Sequence, residues 1–308
     1  MTKQLSLFPD SPLNLTPDLK DEYLADLENI LNPVDEMFAA SSRFRDSRHF
    51  TELLRFIGHF PDYSAFNGLL LYIQNPSATR VATARRWQQK FGRRPKFDAQ
   101  PMVILAPMAP ILYVYDIQDT EGPALPSFLL GPRVTPPQLL NKIYWNTLHN
   151  CGVHGIAVHE ISMESEATGT ANRITPALRK QYQNLDLPKD TSYLIMIDKT
   201  RSLEARYSTL AHELAHIFCS HLGIDRHAWW PEREDLNIIG EQIESDAVAY
   251  LVCERLGLAA CSAKQLSNYI EKNHRLPVFS LHSVLQSVGY LEDMGKSRWN
   301  EPKRHRRQ

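Results

Sequence analysis

The chain has 308 residues, 43% of them hydrophobic and 22% charged, which is enough apolar material for one large or two modest cores; two domains are the expectation. A formal net charge of −1 excludes a global attraction to nucleic acid, so any such binding has to come from local clusters. Four cysteines, Cys151, Cys219, Cys253 and Cys261, form no CxxC pair and fit reduced thiols, and no run approaches the ~18 uninterrupted apolar residues of a membrane span.

The chain opens MTKQLSLFPDSPLNLTP. Pro9 and Asp10 interrupt its apolar start well short of the ~7–15 residues of a secretory signal, so a cytoplasmic location and no membrane partner are expected. Residues 1–20 read as a flexible tail in which the pentapeptide QLSLF, residues 4–8, precedes Pro9, Pro12 and Pro17.

Residues 62–126 begin with an amphipathic helix over 65–74, a Pro-Ser turn and a second helix carrying Arg80, Arg85, Arg86 and Trp87. A Gly-Arg-Arg-Pro turn follows, then two β-rich runs at 102–106 and 112–116. Between Arg80 and Lys96 seven basic residues interleave with Trp87 and Phe91, and no acid occurs before Asp98. Cationic side chains that track phosphates, set among rings that stack bases at ~1–3 kcal/mol each, are what single-strand binding requires. The same pattern also fits a solvated helix face with its aromatic residues in the core.

Five prolines between 123 and 137 mark the boundary to a second domain. It opens with a helix near 139–148 and continues with the strands GIAVHEIS and TSYLIMID. His154 and His159 read as structural or solvated. Residues 203–222, LEARYSTLAHELAHIFCSHL, then carry His212, Glu213 and His216 as HExxH on a helix for which Gly223 supplies the stop. Positions i and i+4 share one helix face, so both imidazoles can reach one metal ion while Glu213 lies beside the open coordination position. That suits hydrolysis by a metal-activated water of pKa ~7, with the glutamate taking its proton. His and carboxylate ligands in an open tetrahedral site point to zinc. His221 fails as a third ligand of the longer HExxHxxGxxH pattern, because Cys219 and Leu222 stand where Gly and His are needed.

A third ligand is expected from a second helix, residues 240–257, GEQIESDAVAYLVCERLG. Glu241, Glu244 and Asp246 are its acids, and spacing alone does not choose among them. The chain ends in a basic cluster, Lys303, Arg304, Arg306 and Arg307, which reads as a solubilising tail with phosphate attraction as the functional alternative.

Several of these motifs resemble known families. HELAH followed by an acidic helix looks like the ImmA/IrrE-type zincin domain, and DAVAYLVCERLGL is similar to the corresponding helix of ArdC-type antirestriction proteins. The resemblance implies that the acid three residues before Ala249, Asp246, is the third ligand, with Glu244 second; the family position often carries Glu, and the shorter Asp requires a closer approach of the two helices. The ordered run YSAFNGLLLYIQNPSATRVATARRW, FGRR, VILAP and YDIQDTEG closely resembles the single-stranded-DNA-binding domain of ArdC-type proteins. It implies DNA contacts at Asn67, Gln74, Asn75, Thr79, Arg80, Trp87, Arg93 and Arg94. Where that family places a glycine-lysine turn, this chain reads KFDAQ, which puts Asp98 near the DNA path. QLSLF is similar to the pentapeptide with which bacterial replication and repair proteins engage the β sliding clamp, implying contacts from Gln4, Leu5, Leu7 and Phe8.

The expected fold class is therefore α+β with two domains, a small single-stranded-DNA-binding domain at 21–125 and a zincin-like metallopeptidase domain at 138–295. The tail at 1–20, the proline-rich linker at 126–137 and the basic tail at 296–308 complete the organisation. The expected function is zinc-dependent proteolysis of a protein substrate, coupled to single-stranded DNA and recruited through the sliding clamp. The competing readings are a non-catalytic DNA-protecting protein with a structural zinc, and a peptidase that cleaves a repressor.

Overall fold

The computed structural model describes residues 47–106, 109–126, 131, 133–163, 168–224, 233, 237–258, 276–277 and 279–299. The pentapeptide at 4–8 and the basic cluster at 303–307 lie outside them. The described chain is α+β, as its sequence led us to expect.

The first half opens with helices α1 (Ser47–Gly58) and α2 (Ala65–Gln74). Strand β1 (Val81–Ala82), helix α3 (Ala84–Phe91) and strands β2 (Arg94–Pro95), β3 (Met102–Ala106), β4 (Ala109–Asp116) and β5 (Thr120–Glu121) follow. The antiparallel order is β1-β4-β3, with β2 and β5 forming a separate two-stranded pair. Local chemistry sets the helix limits. Ser64 and Thr83 cap α2 and α3 by accepting the N–H groups of Asn67 and Arg86, and Gly92 closes α3 at φ 64°. Arg80 therefore lies ahead of β1 rather than on a helix with Arg85 and Arg86.

The second half begins with α4 (Pro137–Val153), started by a proline at its first position. Strands β6 (Ile156–Ile161), β7 (Gly169–Arg173) and β8 (Tyr193–Asp198) form a sheet of order β6-β8-β7, parallel between β6 and β8 and antiparallel between β7 and β8. The short α5 (Pro176–Gln181) separates β7 from β8. Helix α6 (Leu203–Phe218) packs on β7 and β8, α7 (Ile238–Arg255) packs on α6, and α8 (Leu281–Lys296) packs on α4 and α7.

One buried apolar cluster runs through both halves. It extends from Phe50 and Leu54 of α1 and Leu69 of α2 to Val248 and Leu251 of α7 and Val288 and Leu291 of α8. Arg255, fully buried at the end of α7, ties them together. Its guanidinium donates to the carbonyls of Ile57 (3.2 Å), Phe60 (3.1 Å) and Tyr63 (2.6 Å), and to both carboxylate oxygens of Glu292 on α8 (2.6 and 3.2 Å). The Ile57 and Phe60 carbonyls also accept the Phe60 and Tyr63 N–H groups, so Arg255 is a second donor to them and reaches on to the Tyr63 carbonyl in the turn after α1. Gly58 permits the approach: a Cβ there would lie 2.6 Å from Glu254 Cγ.

Arg255→Met is expected to destabilise the full-length protein by about 3–5 kcal/mol, because it removes the donor to the half-buried Glu292 carboxylate and to the Tyr63 carbonyl. Equilibrium denaturation with urea measures this, and the double change Arg255→Met with Glu292→Met should cost less than the single one. A single variant within about 1 kcal/mol of wild type contradicts the role of Arg255.

Candidate metal centre

Helix α6 starts where Ser202 accepts the Ala205 N–H, and it buries Tyr207, Leu210, Leu214 and Ile217 against the sheet and α7. The remaining face carries the HExxH residues. His212 and His216 are half-buried, and their Nε2 atoms face each other at 3.2 Å. Two imidazole nitrogens on one tetrahedral zinc at ~2.0–2.1 Å would stand ~3.3 Å apart, a separation that a shared metal and an N–H···N hydrogen bond both permit.

His212 points its Nδ1 at Asp246 of α7, 3.1 Å from Oδ1 though off the line of a good hydrogen bond. Gln242 donates to the same carboxylate oxygen at 3.1 Å. A carboxylate on the Nδ1 side favours the tautomer with its proton there, leaving the Nε2 lone pair aimed at His216. Burial opposes charge on His212, but its bond with Asp246 and the charges of Asp246 and Glu213 outweigh that and raise its pKa. Burial, reinforced by His212 and His221, pushes His216 down to about 3, so it is neutral as a ligand must be.

Glu213 lies beneath strand β7. Burial pushes its pKa up to about 7, against the pull of His212 and a hydrogen bond from the Ala171 backbone. A group balanced there can both take and return a proton near neutrality. The close approach of strand and helix depends on Gly169, where a Cβ would lie 2.3 Å from Thr209 Cγ2 and 3.0 Å from Glu213 Oε1. Strand β7 is the outer strand of its sheet, so its far edge is the place beside Glu213 where an extended peptide could pair.

The three acids of α7 have separate positions. Asp246 backs His212. Glu244 is fully buried and fully engaged: it accepts from His221 (3.0 Å), from Arg233 (2.6 and 2.8 Å) and from the Ser280 N–H (2.6 Å). Burial works against its charge, yet His221, Arg233 and Ser280 hold its carboxyl below the usual range. Glu241, half-buried, has a carboxylate oxygen within 4.8 Å of ring nitrogens of both His216 and His221. Cys219, the other potential ligand nearby, is buried, and that burial raises its thiol pKa. His154 bonds Tyr290 through Nε2 at 2.6 Å in an aromatic pocket, and burial lowers its pKa to about 4.

The residues expected to meet DNA divide into two groups. Trp87 is fully buried and donates Nε1–H to the Tyr115 carbonyl at 2.9 Å, so it belongs to the core and offers no ring for stacking. Asn67 and Gln74, seven residues apart on α2, each exchange two bonds with the backbone of β3, at Leu105 and Val103. Their amides act as a surrogate neighbouring strand for β3, which is why the sequence needs them. Arg93 spends its guanidinium on Thr120, Gly122 and Pro123. Asn75 holds Ser77, while Thr79 and Arg80 bind Asp116 through their backbone N–H groups, leaving the Thr79 side chain exposed and Arg80 partly so. Arg94 is exposed and paired with Glu121 at 2.8 Å. The ring that does stand free of the core is Phe97, fully exposed in the KFDAQ turn, with Tyr113 half-exposed on β4. Nothing in the sequence pattern ranked Phe97 above Trp87.

An HExxH helix lying across a mixed sheet, with an acidic helix packed behind it, defines a zincin-like arrangement. Residues 151–251, a third of the chain, match the family model of the IrrE N-terminal-like domain, peptidase family M78. The match runs from the end of α4 through the sheet and α6 into α7. No curated protein matches the chain in sequence. Among solved structures, the chain is similar to the metal-free antirestriction protein ArdC of plasmid R388, with 12% identity over 75% of this chain and 82% of that one. The TM-score of that superposition is 0.33.

Gly169→Ala is expected to destabilise the protein by about 1–3 kcal/mol through the overpacked contact with Thr209, and to lower any hydrolytic activity by displacing Glu213. Thr209→Ser, which lacks the clashing methyl, should recover much of that stability in the double variant. Additive effects in thermal unfolding would contradict the contact.

Proposed function

We propose that the protein is a metallopeptidase whose ion is held by His212 and His216 and whose proton acceptor is Glu213. The observation that carries this reading is the pair of Nε2 atoms converging at 3.2 Å beside a buried carboxylate whose pKa is near neutrality. The peptidase M78 match over the same residues supports it. Zinc suits the imidazole and carboxylate donors, and when bound it supplies Lewis acidity toward a carbonyl oxygen and acidifies water.

The protein's own groups supply the rest. Asp246 orients His212; Glu241, within 4.8 Å of ring nitrogens of His216 and His221, is the acid on the His216 side, and Glu244 is committed elsewhere. Glu213 receives a proton at its carboxylate and delivers it to the leaving amine, and the outer edge of β7 aligns the substrate backbone with that carboxylate. Burial of Glu213 beneath β7 limits its contact with bulk water.

DNA coupling rests on a local surface. Arg80, Arg85, Lys90, Arg94 and Lys96 present partly or fully exposed positive charge, and Phe97 adds a free ring on the same stretch. Those are the elements of a single-strand path. The resemblance of QLSLF to clamp-binding pentapeptides adds recruitment to replicating or incoming DNA, which would raise the local concentration of enzyme near proteins bound there.

Zinc-loaded full-length protein is expected to cleave itself or casein faster with single-stranded DNA than without it. Glu213→Gln should retain zinc and lower cleavage by about 10²–10⁴-fold. Loss of the Gln4, Leu5, Leu7 and Phe8 side chains should leave cleavage in solution unchanged and abolish clamp co-purification. Absence of cleavage under every condition, with DNA binding and zinc content intact, overturns the catalytic reading in favour of a DNA-protecting protein with a structural metal. Cleavage indifferent to DNA and to the pentapeptide favours a regulatory peptidase.

A further inference from the structure

Helix α6 ends in an unusual way. Its stop is Ser220, not Gly223: Ser220 sits at φ 65°, in the left-handed region that costs a residue with a Cβ about 1–2 kcal/mol. Around it the Ser220 N–H binds the Ile217 carbonyl at 3.0 Å and the His221 N–H binds the His216 carbonyl at 2.9 Å. That is a Schellman closure built without the usual glycine. Its result is to fold His221 back over the helix end, so that His221 Nδ1 lies 3.0 Å from His216 Nδ1.

The hydrogen bonds behind His221 fix which nitrogen carries each proton. Arg233 and the Ser280 N–H supply three donors to Glu244, which is thereby held as a carboxylate. An ionised carboxylate only accepts, so His221, 3.0 Å from it through Nε2, must carry its proton on that nitrogen. With the His221 ring neutral, its Nδ1 is an acceptor and His216 Nδ1 donates to it. His216 Nε2 is left with a lone pair directed at His212 Nε2.

We infer that His221, backed by Glu244 and Arg233, is a positioning residue that locks His216 in its metal-ligating tautomer and orientation. This rests on the metal site proposed above and explains features that site does not use: a strained serine, a buried third histidine and the Arg233–Glu244 ion pair behind it. Two chains of polar contacts then end on the same spot. One runs from Asp246 through His212, the other from Arg233 and Glu244 through His221 and His216. In these neutral tautomers each directs a lone pair at the point between the two Nε2 atoms, where a cation would be held.

The test is zinc affinity of the full-length protein, read by competition with a chromophoric chelator. His221→Leu, which removes the acceptor, should weaken zinc binding by about 10–100-fold. His221→Asn, whose Oδ1 can replace Nδ1 as acceptor, should keep an affinity close to wild type. Histidine nitrogen NMR of the metal-free wild type gives an independent reading that needs no folded variant: His216 should be the Nδ1–H tautomer and His221 the Nε2–H tautomer. Unchanged affinity in His221→Leu, or the opposite tautomer of His216, overturns the inference while leaving the metal site standing. Failure of wild type to bind zinc, or binding indifferent to His216→Ala, removes the metal site and the inference with it.

Discussion

The Nε2 atoms of His212 and His216 stand 3.2 Å apart, and the surrounding fold holds both rings in that arrangement. Much of the second half of this protein supplies that restraint. Helix α6 sets His212 and His216 one turn apart, α7 brings Asp246 behind one ring, and the Schellman turn at Ser220 brings His221 behind the other. Glu213 lies between helix and sheet because Gly169 lets β7 pass close above it. In the proposed function these rings are held ready to share a divalent cation.

The same helix α7 that carries Glu241, Glu244 and Asp246 ends in Arg255, which holds the carbonyls at the end of α1. The acidic side of the metal centre and the junction with the first half are therefore parts of one rigid element. A displacement of α1 and α2 has a direct mechanical route, about three helical turns long, to the carboxylates behind the histidines. In the proposed function this continuity is what gives a DNA-binding event on the first half a path to the chemistry of the second.

The sequence made the long helices and central strands plain, because apolar periodicity and side-chain caps coincide in them. Helix α2 and strand β3 have the expected limits, and the HExxH helix has the expected start and face. Strand β7, GTANR, was hidden: an edge strand with glycine, asparagine and arginine lacks an apolar alternation, and its identity depends on pairing with β8. Ser220 was hidden as well, since a glycine three residues later looked like the natural stop. The intramolecular partners of several side chains were hidden for a common reason. Trp87, Asn67, Gln74 and Arg93 are chemically suited to nucleic acid, but the fold uses each for a backbone partner distant in sequence. His221 was set aside by a ligand-spacing rule, and its position behind a ligand is visible only once the helix end is folded.

The most direct test of the account is X-ray absorption at the zinc edge of the zinc-loaded, full-length protein. The account predicts a first shell of nitrogen and oxygen at ~2.0–2.1 Å, with the outer-shell scattering of two imidazole rings that disappears in part when His212 or His216 is replaced. A sulfur at ~2.3 Å would place the ion at Cys219, His221 and Glu244 instead, and would contradict the claim that His212 and His216 converge on the metal.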